Sequence, residues 1–417
     1  VKNRAYSASA WPVRSCAVLL LLLLGLTACS GSTAQQAAAT TTTPATSTPA
    51  AATLVPTPTP NSGPVDMQTA WGAVTVQHLP SAMGNNQVFV FENAATPDGQ
   101  WLVGALEPRN FLSNTSQLSY LVLYNISSHQ VQTLHALLTP QSQILSVSAD
   151  DHWIVWSEAS DQPNFFDWTL FAYNRQTGQV KQLAQAAQAN GQAIPGPYPM
   201  PSVDQDTVLW NQVIGPISST MLENAVVKVE NLATGSVTTL ATKAGPPLGL
   251  SWPWAMWSQG APGVDAAVLF QNLNTNQRIT FAGTVGFIAL SGTSVAYTTS
   301  TNKSLFLLED ITQSASNATL ITQVGDANYL QFIAMNNRLI GWTAYSMTPQ
   351  VWDRAQHRLV NLPITNPESE PGTWVGGHLL VWADSESPAQ QDQDMKDGLT
   401  PTPTYDIIAT DTLPTSP

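Results

Sequence analysis

The sequence predicts an all-β chain: a seven-bladed β-propeller of four-stranded antiparallel blades, closed by an N-terminal strand that completes the last blade. Three observations carry this reading. A short hydrophobic run, usually ending in an aromatic, recurs seven times; a polar hairpin pattern accompanies at least six of the copies; and the last unit lacks its fourth strand. Repeats of roughly forty residues are the spacing of propeller blades, each too small to bury a core without its neighbours.

The runs come in order as WLVGAL from Trp101, WIVW to Trp156, TVLW to Trp210, PWAMW to Trp257, SVAY to Tyr297, RLIGW to Trp342 and HLLVW to Trp382. From Trp156 onward the aromatics lie 54, 47, 40, 45 and 40 residues apart. These strand-end rings are read as core.

The second half of each unit is a hairpin, clearest at Leu170 to Leu183 and Val226 to Leu240. Apolar residues alternate on both sides of a short turn, as a sheet with one buried face requires. Asn174, Asn231, Asn272 and Asp353 open the turns, where a short polar side chain bonds the backbone, and Gly178 and Gly235 supply positive φ.

The final unit ends with YDIIATD from Tyr405, and the closing TLPTSP is too short and Pro-bound for another strand. The missing strand is found near the start, in AVTVQHLP from Ala73 to Pro80, whose pattern matches the outer strand of the other units. Pairing the two closes the ring and hides an edge.

Over about residues 66–417 the strand endings and the Asn-x-x-Thr-Gly hairpins resemble the TolB-like and WD40-like propellers. The Gly-His and Trp-Asp pairs of WD40 blades do not recur, since Trp352-Asp353 is a single case. No amino-terminal TolB domain is expected ahead of the repeats, so a TolB role is not carried over.

Ahead of the repeats, Lys2, Arg4 and Arg14 precede the apolar stretch Ala17 to Leu26, which is short for a membrane span. LTAC, ending at Cys29, resembles the bacterial lipoprotein signal; the resemblance implies cleavage before Cys29 and a diacylglycerol on its thiol. Residues 1–28 are thus expected to be a signal peptide, 29–65 a Thr/Pro/Ala-rich disordered tether and 66–417 the propeller, held on the extracytoplasmic face of a bacterial membrane. Cys16 falls in the removed segment, so no internal disulfide is expected.

Without the signal segment the chain carries 11 basic against 27 acidic residues, a net of about −16. This balance argues against nucleic acid. The acids concentrate in the long loops that the alignment puts on one face, where recognition usually resides. Candidate binding residues there are Glu158, Asp161, Phe165, Phe166, Trp168, Glu368, Glu370, Asp384 and Glu386. Asp392, Asp394 and Asp397 form a weak Ca2+ loop pattern, one residue off the EF-hand spacing and with Pro403 at its twelfth position.

No nucleophile motif, zinc motif or phosphate loop is present, and the six His residues fall on strands or turns without a clustered partner. The expected function is binding or scaffolding of a protein, peptide or glycan by a monomer, rather than catalysis. A polysaccharide hydrolase or lyase is the alternative.

Overall fold

The computed structural model describes residues 63–415, apart from 111–115, 161–163, 216–222, 260–266, 283–284, 300, 326–328, 345–347, 365–371 and 385. Cys29 and the tether lie outside the described residues. The chain enters through β1 (Val65–Asp66), helix α1 (Met67–Trp71) and β2 (Gln77–Pro80). It then builds seven antiparallel sheets, at 87–136, 143–185, 202–242, 244–282, 285–323, 330–361 and 373–409. The first strand of each packs against the first strand of the next, and the seventh, Thr373–Gly376, meets the first, Gln87–Ala95. The protein is a seven-bladed β-propeller with these strands around its axis.

Closure takes the expected route. β2 pairs antiparallel with Thr404–Ala409, Leu79 lying opposite Tyr405, so the last blade takes its outer strand from the amino-terminal side. The ladder is shorter than AVTVQHLP suggests and begins at Gln77.

A second clasp had no counterpart in the repeat pattern. β1 adds in parallel to the outer strand of blade 6, Val65 opposite Val360, and covers that edge. α1 then buries Trp71, whose indole N–H donates to Asp353 Oδ2 at 2.8 Å. The same oxygen accepts from Arg338 Nη2 at 2.8 Å, and that Nη2 also donates to the carbonyl of Pro414. Segments from both ends of the propeller therefore meet at one fully buried carboxylate.

Within the blades, alternation puts the strand-end rings where two sheets face each other. Trp156, Trp210, Trp257 and Trp382 are all fully buried. Blade 1 has Gly104 in the equivalent position. A Cβ there would lie 2.3 Å from Val90 O and 2.5 Å from the ring of Phe89, which fills the space of the missing indole.

The hairpin turns form as their residues demand. Asn174 Oδ1 accepts from the backbone N–H of Gln176 and Thr177, and Asn272 Oδ1 from Asn274 and Thr275. Gly178 and Gly235 take φ of 71°. These turns, with those between first and second strands, make up one face of the ring, the turn face. Blade-to-blade bonds tie it together: Asp150 accepts from Asp206 N, Asp204 from Trp252 N, and Ser251 Oγ from Gly292 N. The remaining connections, most of them longer, emerge on the opposite, loop-rich face. Among the described residues no helix is long and apolar enough to cross a membrane.

Candidate functional site

On the loop-rich face, several of the acids that the sequence suggests as ligand contacts bond neighbouring described residues instead. Glu158 sits in strand Trp153–Ala159, every residue of which is buried, because blades press on both its sides. Its Oε1 accepts from the backbone N–H of Leu138 at 2.9 Å and its Oε2 from the Trp156 indole at 3.0 Å. His135 Nε2 lies 3.6 Å from Oε2, its ring packed 5.2 Å from both Trp156 and Phe171. Burial pushes the Glu158 carboxyl above its ordinary range, against those two hydrogen bonds, and pushes the His135 imidazole below its own. Glu158 is thus a staple between blades 1 and 2, not a contact for an external ligand. Its spacing gave a signal: two residues beyond Trp156 on one strand, it must share the core-facing side.

The aromatic loop is corrected in the same way. Phe165 and Trp168 are buried in a cluster with Trp153, Tyr198 and Trp210, so neither offers a free ring face. Phe166 remains half-buried. Asp167 accepts from Ser160 N and Oγ and so closes the loop across its mouth. Asp161 lies outside the described residues, as do Glu368 and Glu370.

In blade 7 the expected Ca2+ loop is a helix, α2 (Pro388–Lys396). Ser387 caps it, its side chain accepting from Gln390 N, and Pro388 stands at the first position, a combination that starts helices. Asp394 turns inward, taking Arg109 Nη2 at 2.9 Å and Gln390 Nε2 at 2.8 Å, while Asp392 and Asp397 are exposed. Among the described residues no group of three His, Cys, Asp or Glu could hold a metal ion. Arg109 belongs to blade 1, so its bond to Asp394 joins the loops of the first and last blades. Half-buried Glu386 accepts from Thr402 N at 3.2 Å and from its hydroxyl, and Asp384 ends its strand half-buried.

Three His residues that look solitary in the sequence meet carboxylates across strand or blade junctions. His78 Nδ1 lies 2.6 Å from Asp406 Oδ1, His152 Nδ1 lies 3.0 Å from Asp206 Oδ1, and His135 faces Glu158. Burial raises the Asp406 carboxyl and the His78 contact opposes the shift.

The loop-rich face also exposes apolar side chains. Leu138, Met200, Ile214 and Tyr329 are the exposed large apolar side chains of the described residues that do not belong to outer strands, and all four stand on this face. Below Met200 the loop is fixed: its N–H donates to Asn211 Oδ1 at 3.1 Å, Asn211 Nδ2 reaches Tyr198 O, and Ser157 Oγ reaches Pro199 O. Loop acids and rings do not point to these residues; apolar side chains stranded in polar loops are the signal that does.

The axis carries little acid–base chemistry. Across the seven inner strands the ionisable residues are Glu92 and Asp204, and Asp204 accepts from Trp252 N at 2.7 Å on the turn face.

No protein-family model matches the chain, and no curated protein matches it. Similar solved structures include a prolyl endopeptidase (10% identity, 75% of this chain and 47% of that one, TM-score 0.49). Others are the β-propeller domain of the Trilobed protease from Pyrococcus furiosus (9%, 74% and 92%, TM-score 0.48) and TolB from Acinetobacter baumannii (16%, 54% and 52%, TM-score 0.36). The match spans about half the length of the prolyl endopeptidase. At these identities the likeness carries no information on activity.

Proposed function

We propose that the chain is a lipid-anchored extracytoplasmic propeller that binds a protein or peptide partner at its loop-rich face. One observation carries the reading: exposed Leu138, Met200, Ile214 and Tyr329 all stand on that face, and the backbone N–H groups of Leu138, Met200 and Ile214 are each tied to an acceptor. Apolar side chains gathered on one face give a partner carbon to bury, and preorganised loops lower the entropy lost on binding. The net charge of about −16 without the signal segment favours a basic rim on the partner. A polysaccharide-cleaving reading needs a convergent acid and base, and the inner strands offer Glu92 and Asp204 alone.

The anchor is Cys29, on the LTAC pattern. Crosslinking the anchored protein in intact cells should capture a defined protein partner. Recovery of no specific partner, together with turnover of a glycan, would overturn the binding function. Cys29→Ala should release the chain from the membrane fraction, and its retention there would remove the lipid anchor from the account.

A further inference from the structure

On the turn face the seam between blades 2 and 3 opens into a groove of about 380 Å³, a volume within the range of small-molecule sites. Both blades build its floor. Asp206, from the first turn of blade 3, accepts on one oxygen from the Trp153 indole at 2.7 Å and from His152 Nδ1 at 3.0 Å, both of blade 2. Lys181 of blade 2 reaches the other way, to Glu230 Oε1 and Leu232 O at 3.1 Å each, with its Nζ 5.1 Å from the centre of the Trp153 ring. The ammonium is matched by a carboxylate and Asp206 by two donors, so the floor is cross-braced and its charges are internally engaged.

Beyond Asp206 Oδ2 and the His152 ring, what is left for a ligand is amide and apolar surface. A carboxylate only accepts, so His152 must donate through Nδ1, and Nε2 is the ring nitrogen left over for a ligand. On one wall, Gln176 and Gln179 stand exposed on the hairpin that Asn174 Oδ1 fixes. Each amide supplies both a donor and an acceptor. Val180, 38% exposed, and buried Leu232 add apolar surface beside them. Groups that donate and accept, set against apolar carbon and a floor of matched charges, suit hydroxyls alternating with C–H faces.

We propose that this groove binds a neutral oligosaccharide. It lies on the face opposite the one read as the partner surface, so the two sites are independent.

The test is calorimetric titration of the full chain with maltotetraose, cellotetraose and chitotetraose. At least one should bind saturably. Affinity should fall about tenfold or more in the Gln176→Ala/Gln179→Ala double variant, whose lost side chains are exposed, and again in His152→Ala. The proposal is overturned if none of the three binds saturably, if binding survives unchanged in both variants, or if a neutral tetrapeptide displaces the sugar with equal affinity. Because the Gln side chains are exposed, the double variant keeps the test valid even where His152→Ala disturbs the floor.

Discussion

Replacing Asp353 with Ala should release the second clasp, which holds β1 and α1 on blade 6. The carboxylate has no solvent exposure and accepts four hydrogen bonds. Two come from the turn it starts, Ala355 N and Gln356 N at 3.0 Å; the others come from Trp71 and Arg338. The turn bonds alone are worth about 1 kcal/mol net, as at Asn174, which caps an exposed turn in the same way. The other pair is costlier to lose. Arg338 is only 14% exposed, and stripping a buried charge of its partner costs about 3–5 kcal/mol. Urea unfolding should therefore place Asp353→Ala several kcal/mol below the parent, with Asn174→Ala about 1 kcal/mol below it. Limited proteolysis should cut the variant first within residues 65–80, which β1 and α1 otherwise hold down. If the two variants lose equal stability, Asp353 is no more than a turn residue and the clasp is refuted.

Two further outcomes rest on the packing between and within blades. His135 is held below its ordinary value of 6.5 by burial, so its share of stability is present above 6.5 and lost as pH falls through the folded value. Glu158 is raised above 4.5, so its share is present below 4.5 and lost as pH rises through the folded value. Between about pH 7 and 5, His135→Gln should lose less stability than the parent and Glu158→Gln should lose more; parallel urea midpoints across the three proteins would contradict the pair. Gly104→Ala should cost about 1–3 kcal/mol, because the added methyl meets backbone at Val90 O, which cannot turn aside. An unchanged midpoint would show that the Phe89 packing is looser than described.

The scaffold was legible because its signals repeat. Strand-end Trp residues, Asn-led turns and the strand near Gln77 each recur as a pattern that one fold satisfies, and a pattern survives local exceptions such as Gly104. The candidate site was less legible because loop acids have two uses. Glu158 and Asp394 look like surface charge in a loop, yet both are buried against donors that lie far away in sequence, Leu138 and Arg109. The spacing from Trp156 marks Glu158 as core-facing, but the partners across the blade junction leave no local trace. The helix at Pro388 was different: Ser387-Pro388 is a local start signal, overshadowed by the acid spacing just beyond it. Phe165 and Trp168 show the same limit, since a ring in a loop reads alike whether it points outward or inward.

The binding function rests on the loop-rich face, and site-specific photocrosslinking reads that face directly. Crosslinkers placed singly at Met200 and Ile214, and at Asn274 on the turn face of blade 4, would be activated in intact cells. All three positions are exposed. The account predicts one common protein adduct from Met200 and Ile214 and none from Asn274. Equal adducts from both faces, or none from Met200 and Ile214, would contradict it.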